Sequence, residues 1–225
     1  MKLLKKLTMM LLAIGMTASF AACDTILGML NLGGESESTS ETSQTSEVEE
    51  TGAMVSEAEF NAALQTLYSQ TNLLVTITDG EQNVGGKKTF TGVVSFADNK
   101  VYSELAYSAD GNVSKEYTYV GAVDGVCYEW TSTNSVVWEY KEVDMANTTA
   151  GAFLEEVFIW CGFEYCEFNN KTSMMEFTGM GSPSVGVKVV DGKIVAFHFE
   201  DIAGNWYAAT ITYGGAVIGE LPALD

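Results

Sequence analysis

The hydrophobic positions fall into two regimes, one short helical stretch and then a long run of alternation. Ser56-Glu57-Ala58-Glu59 carries the capping-box pattern, and Phe60, Ala63, Leu64, Leu67 and Tyr68 follow at the three- and four-residue spacing of one helical face. This predicts an amphipathic helix over 57–69. Turn signals then divide the chain at Ala97-Asp98-Asn99-Lys100, Asp110-Gly111-Asn112, Asp124-Gly125, Asn169-Asn170 and Asp191-Gly192, residues that tolerate the positive φ angles of tight hairpins. Strands are predicted near 73–78, 88–97, 100–107, 114–121, 126–131, 136–142, 163–169, 173–178, 184–190, 193–200 and 206–213. A second helix is predicted near 148–160, with Phe153, Leu154, Val157, Phe158 and Trp160 on its apolar side. The expected class is α+β, mainly antiparallel β, with about eleven strands and two helices.

Period-two alternation assigns one face of each strand to a core. Tyr117 and Tyr119, Tyr128 and Trp130, Trp138 and Tyr140, Phe163 and Tyr165, the set Val195, Phe197 and Phe199, and the set Tyr207, Ala209, Ile211 and Tyr213 each alternate with more polar or smaller neighbours. The expectation is a single sheet face rich in aromatic side chains, covered by the two helices. Such a face is either a filled core or the wall of an apolar pocket, and pockets share its composition.

The chain ahead of Ser56 has a different grammar. A basic start with Lys2, Lys5 and Lys6 precedes an apolar run from Leu7 to Phe20, two alanines and Cys23. Phe20-Ala21-Ala22-Cys23 resembles the lipobox of a bacterial lipoprotein signal, with Phe20 standing where leucine is usual. The resemblance implies cleavage after residue 22, a diacylglycerol on Cys23 and acylation of the new amino terminus. Alternatives are an ordinary secretory signal or a retained helix, although the apolar run is shorter than the ~20 residues a span needs. Residues 23–34 would be the lipidated N-terminus, with Ile26, Leu27, Met29, Leu30 and Leu32 either against the bilayer or disordered. Residues 35–55 are rich in Ser, Thr and Glu, with too little apolar surface to fold. They read as a disordered linker, with a coil reach of ~25 Å over Glu35 to Gly52. The folded domain is expected over 56–225.

A curved sheet of about eleven strands embracing an N-terminal helix and one later helix, on a lipidated N-terminus, resembles the half-barrel of the LolA/LppX-type lipoprotein carriers. The stretch from Ile211 to Pro222, ending Ile218-Gly219-Glu220-Leu221-Pro222, is similar to the closing strand and tail of that group. The resemblance implies a lipid or other apolar ligand between sheet and helix, with Phe60, Leu64, Leu67, Tyr119, Trp130, Trp138 and Phe197 as its contacts. The competing expectation is a non-enzymatic structural or adhesive surface domain that binds protein or polysaccharide.

Charge narrows the partners. The formal charge is −19, and losing the first 22 residues, with three lysines and no acid, takes it to −22. There is no arginine, so the bidentate fork that grips phosphate is missing and nucleic acid is not an expected partner. The membrane is expected as a partner only through the lipid on Cys23, which places the domain outside the cytoplasm, anchored to the cell membrane. Cys127, Cys161 and Cys166 then remain, an odd number; the sequence leaves open whether Cys161 and Cys166 pair. No zinc ligand set is present, and no cofactor is expected. His198 is the only histidine and is read as a surface or packing residue; with no nucleophile–base constellation, the chain is not expected to be an enzyme.

Overall fold

The structure is a computed structural model that describes residues 52–83, 86–144, 149–179 and 183–224. The signal segment, Cys23 and the acidic segment through residue 51 lie outside the described residues.

Helix α1 spans Glu57–Tyr68 and starts where the sequence says it should. The Ser56 hydroxyl accepts from the Glu59 amide at 3.3 Å, and the Glu59 carboxylate accepts from the Ser56 amide at 2.8 Å. Among the described residues eleven strands follow, broken by one further α-helix. They are β1 (Leu73–Gln82), β2 (Lys88–Ala97), β3 (Lys100–Ala109), β4 (Asn112–Val123), β5 (Val126–Ser132) and β6 (Glu139–Glu142), then helix α2 (Ala150–Phe158). After α2 come β7 (Cys166–Asn169), β8 (Met174–Thr178), β9 (Ser184–Val190), β10 (Lys193–Glu200) and β11 (Trp206–Tyr213). The hairpin turns at Asp98-Asn99, Asp110-Gly111, Asp124-Gly125 and Asp191-Gly192 each place two consecutive residues at positive φ. Primed turns require that geometry because it matches the strand twist.

All eleven strands form one antiparallel sheet in the order β6-β5-β4-β3-β2-β1-β11-β10-β9-β8-β7. Two meanders are thus joined by the β1–β11 pair, so the first and last strands of the fold lie at its centre.

The half-barrel expected from sequence is not what forms. The sheet is open and not strongly curled, with β6 and β7 at opposite ends. The space between sheet and helices is also filled. Leu67, Leu73, Leu154, Met175, Phe177, Val185, Val187 and Ile194 retain no accessible surface, so they border neither solvent nor a void that water could enter. Phe60 of α1 packs on Phe177 and Phe163 at ring separations of 5.2 and 5.5 Å. Phe153 and Phe158 of α2 pack on Phe96 and Phe197, each at 5.4 Å. These contacts overturn the resemblance to the lipid carriers and, with it, the lipid-binding cavity.

Local differences have identifiable causes. The strand expected over 136–142 begins only at Glu139, because the Asn134 side-chain oxygen accepts from the amides of Val136 and Val137 and fixes a turn there. The strand expected from 163 starts at Cys166, preceded by a 3₁₀ turn over Phe163–Tyr165. In β10 a bulge between Ile194 and Ala196 leaves Val195 as the extra residue, and Ile194 rather than Val195 joins Phe197 and Phe199 in the core. A second bulge lies in β1 between Ile77 and Asp79, and it turns Gly80 under the ring of Phe90.

The expected single aromatic face is also corrected. In β4 the side chains buried on the helix side are those of Thr118 and Val120, with Gly121 buried on the other side, and in β5 Cys127 belongs to the main core. Tyr117, Tyr119, Tyr128 and Trp130 therefore point away from the helices.

Leu67→Ala removes a side chain that the fold encloses completely, and it is expected to cost about 2–5 kcal/mol. Leu64, only partly buried against the same core, is expected to cost clearly less when truncated. Urea unfolding of both variants checks this; equal losses would contradict the packing described.

Candidate interaction face

The seven residues expected to share a ligand site are divided between the two sides of the sheet. Phe60, Leu67 and Phe197 are interior, with Leu64 partly buried beside them. Tyr119, Trp130 and Trp138 lie on the opposite face, which the helices do not cover. Register sets their arrangement: Ser95, Tyr102, Tyr119, Trp130 and Tyr140 are consecutive partners across β2 to β6. Side chains in such a row stand about 4.8 Å apart, the separation of neighbouring strands. Tyr102 and Tyr119 are 4.8 Å apart by ring centroid, and Trp138 meets Tyr119 edge-on at 5.3 Å. Tyr128 closes on Trp130 at 5.7 Å and on Tyr140 at 5.9 Å.

A strap formed by the C-terminal residues covers part of this row. Gly214 and Gly215 adopt positive φ and turn the chain back after β11. Asn72 then clasps Ala216 from both sides, its amide donating to the Ala216 carbonyl at 2.8 Å and its carbonyl accepting from the Ala216 amide at 2.9 Å. Farther on, Leu221 fills the space above Gly121, where a Cβ would lie 2.8 Å from its methyl group. The Ile218-to-Pro222 motif is therefore a lashing across the outer face, while the closing strand β11 sits in mid-sheet. Trp130, in ring contact with Tyr128, is fully buried, and its indole N–H has no hydrogen-bond partner among the described residues.

Toward β6 the cover ends. Tyr102, Tyr119, Tyr128 and Trp138 are half-buried, all of β6 is exposed, and Val136 and Val137 on the Asn134 turn are 78% and 67% exposed. Aromatic rings and aliphatic side chains held on fixed backbone at a sheet margin are what a partner can desolvate. The polar trim is acidic but paired: Glu104 accepts from Lys115 at 2.7 Å and from the Tyr102 hydroxyl at 3.3 Å. Burial and the Glu104 charge push the Tyr102 phenol up to about 12, so it stays a donor at neutral pH.

Other titratable groups are separate from this face. His198 and Glu176 meet at 3.0 Å across Gly186, and a side chain at position 186 would collide with the imidazole. The cross-strand pair needs a glycine between its members. Thr172 and Asn169 lie 3.4 and 3.5 Å from the other Glu176 oxygen. Cys127, Cys161 and Cys166 are thiols; burial pushes all three upward, most of all Cys161, whose next neighbour is Cys166. Among the described residues no group of three or more His, Cys, Asp or Glu could hold a metal ion, and no helix is long and apolar enough to cross a membrane. No protein-family model matches the chain, and no curated protein matches it significantly. The fold and face together define an open antiparallel sheet, helix-covered on one side and strapped on the other.

One half-buried acid at the rim of the helix-covered side escapes sequence reading. Glu116 lies in register with Leu105, beside Tyr107, whose hydroxyl confronts the carboxyl without closing a well-formed hydrogen bond. Burial outweighs Tyr107 and Lys88 and pushes its pKa from 4.5 up to about 7. A carboxyl raised on folding holds a proton that the unfolded chain releases. Its stabilisation is complete below pH 4.5 and is lost as the pH rises to about 7. Glu116→Gln is expected to flatten the fall in melting temperature across that window, as thermal melts at several pH values would show. An unchanged pH profile would contradict this.

Proposed function

We propose that this chain is a non-enzymatic surface domain, fixed to the outer side of the cell membrane by a lipid on Cys23, that binds a protein partner through the β4–β6 end of its outer face. The observation that carries the reading is the half-exposed row Tyr102, Tyr119, Trp138 and Tyr140, ending at the exposed Val136 and Val137. Rigid aromatic side chains with polar tips cost little entropy to immobilise and are enriched at protein interfaces. The aliphatic pair beside them favours a protein over a polysaccharide. The lipobox pattern supports the anchor, and the acidic stretch from Glu35 to Gly52 supplies a spacer.

Two expected outcomes test separate halves of the reading. In cells, Cys23→Ala is expected to abolish incorporation of labelled fatty acid and to shift the protein from the membrane pellet to the medium. Retention with an unlabelled chain would contradict the anchor. On the intact chain, Trp138→Ala combined with Val137→Asp is expected to leave the melting temperature nearly unchanged. The same variant should lose the protein cross-links that a photoreactive group at position 136 forms in the wild-type background. Cross-links to polysaccharide alone would contradict the choice of partner.

A further inference from the structure

Cys161 and Cys166 flank a tight turn just beyond α2, and both face the same core. The Tyr165 amide donates to the Gly162 carbonyl at 3.1 Å, and the Cys166 amide donates to the Phe163 carbonyl, so the chain folds sharply between the two cysteines. Upstream, the Cys161 amide donates to the Phe158 carbonyl at 3.1 Å and holds that residue against the end of α2. Downstream, Cys166 opens β7 in register with Phe177, and directly opposed residues of neighbouring strands project to one face. Phe177 is fully buried on the helix-covered side, so Cys166 points there too. Cys161 and Cys166 both pack on the main core beside Phe163, whose ring meets Phe177 at 5.7 Å. The two thiols are near enough for charge on Cys166 to push Cys161 up.

The third thiol cannot compete for either partner. Cys127 lies on β5, second in the sheet order, and Cys166 on β7, eleventh. Nine strand spacings separate them, roughly 40 Å in an open sheet, whereas a disulfide needs Cα atoms within about 7 Å. Cys161 is out of reach as well, because it follows Phe158, which packs on Phe197 of β10, six spacings from β5. The odd number of cysteines thus resolves into one neighbouring pair and one buried remainder.

We propose that Cys161 and Cys166 are joined by a disulfide in the exported protein, leaving Cys127 as a buried thiol. This rests on the anchor reading above, because structural disulfides persist in oxidising compartments outside the cytoplasm. As the Sγ–Sγ bond forms, the pair gives up two protons and two electrons. The electrons reduce the disulfide of an exchange partner, a dithiol oxidoreductase or a small disulfide such as oxidised glutathione, to two thiols. Cys166, the less strongly raised of the pair, attacks first and forms the mixed disulfide, and Cys161 then displaces the partner. The bond ties the end of α2 to β7, the last strand of the described sheet.

The test takes the full-length chain from the membrane of the exporting cells, blocks it with N-ethylmaleimide under denaturing conditions and digests it with trypsin. A single peptide, Glu142 to Lys171, carries both cysteines. It is expected to be unlabelled and lighter by two hydrogens, and to take two labels after reduction, while Cys127 is labelled from the start. Two labels without reduction on a chain whose Cys23 carries its lipid, or a bond that includes Cys127, would overturn the proposal. Two labels on a chain whose Cys23 is bare would count against the anchor reading, and exchange of the purified, reduced chain with oxidised glutathione then decides the pairing by itself. That exchange should close the wild-type pair and stop at one glutathione on Cys166 in Cys161→Ser. A wild-type chain that keeps both thiols, or holds glutathione without closing, would overturn the proposal wherever the chain resides.

Discussion

Two short helices have to cover a sheet too wide for them, and the rest of the molecule answers that mismatch. Eleven strands spaced about 4.8 Å apart span roughly 50 Å, whereas each helix covers about 10 Å of width. Helices α1 and α2 close the apolar side with aromatic contacts to β2, β8 and β10. Near Phe90, Tyr107 and Tyr207, the sheet's own larger rings pack on one another. Bulges in β1 and β10 adjust which residues face inward, and Gly80 leaves room for the Phe90 ring. Glu116, lodged beside Tyr107, records the cost of that arrangement in its raised pKa.

No helix among the described residues covers the other side of the same sheet, which depends on the C-terminal strap and on its own aromatic row. Asn72 is the pivot, since one side chain holds both backbone groups of Ala216 and aims the strap toward Gly121 and Leu221. The strap reaches Gly121 through Leu221, whereas all of β6 is exposed. What it leaves half-covered is the margin proposed as an interaction surface. A sheet margin of this kind would serve a domain held at a membrane by a separate anchor, because recognition and attachment then reside in different parts of the chain.

Much of this was legible in the residues. The capping box set the start of α1, and Asp-Gly and Asp-Asn pairs marked four of the hairpins, because both signals act within a few residues. Eleven strands and two helices followed from periodicity. Curvature did not, since alternation is the same in a flat and a curled sheet. Nor did the inward face of β4 and β5: aromatic side chains were taken as interior, yet Thr118, Val120 and Cys127 face the core while the rings pair outside. A bulge moves one residue and reverses the apparent phase, as at Val195, and no local signal announced it. The Asn72–Ala216 clasp joins residues 144 positions apart, beyond the reach of any motif. The candidate residues were thus real features of the chain divided between two faces, with Phe60, Leu67 and Phe197 serving the core.

The central claim is that the helix-covered side is a filled core and that any partner must be met from outside. Native mass spectrometry of the chain from residue 24 onward, after incubation with vesicles of membrane lipid, tests it most directly. The account predicts the bare mass of the polypeptide, with no retained lipid. A stoichiometric lipid adduct that survives gel filtration and is lost on Leu67→Trp would contradict it.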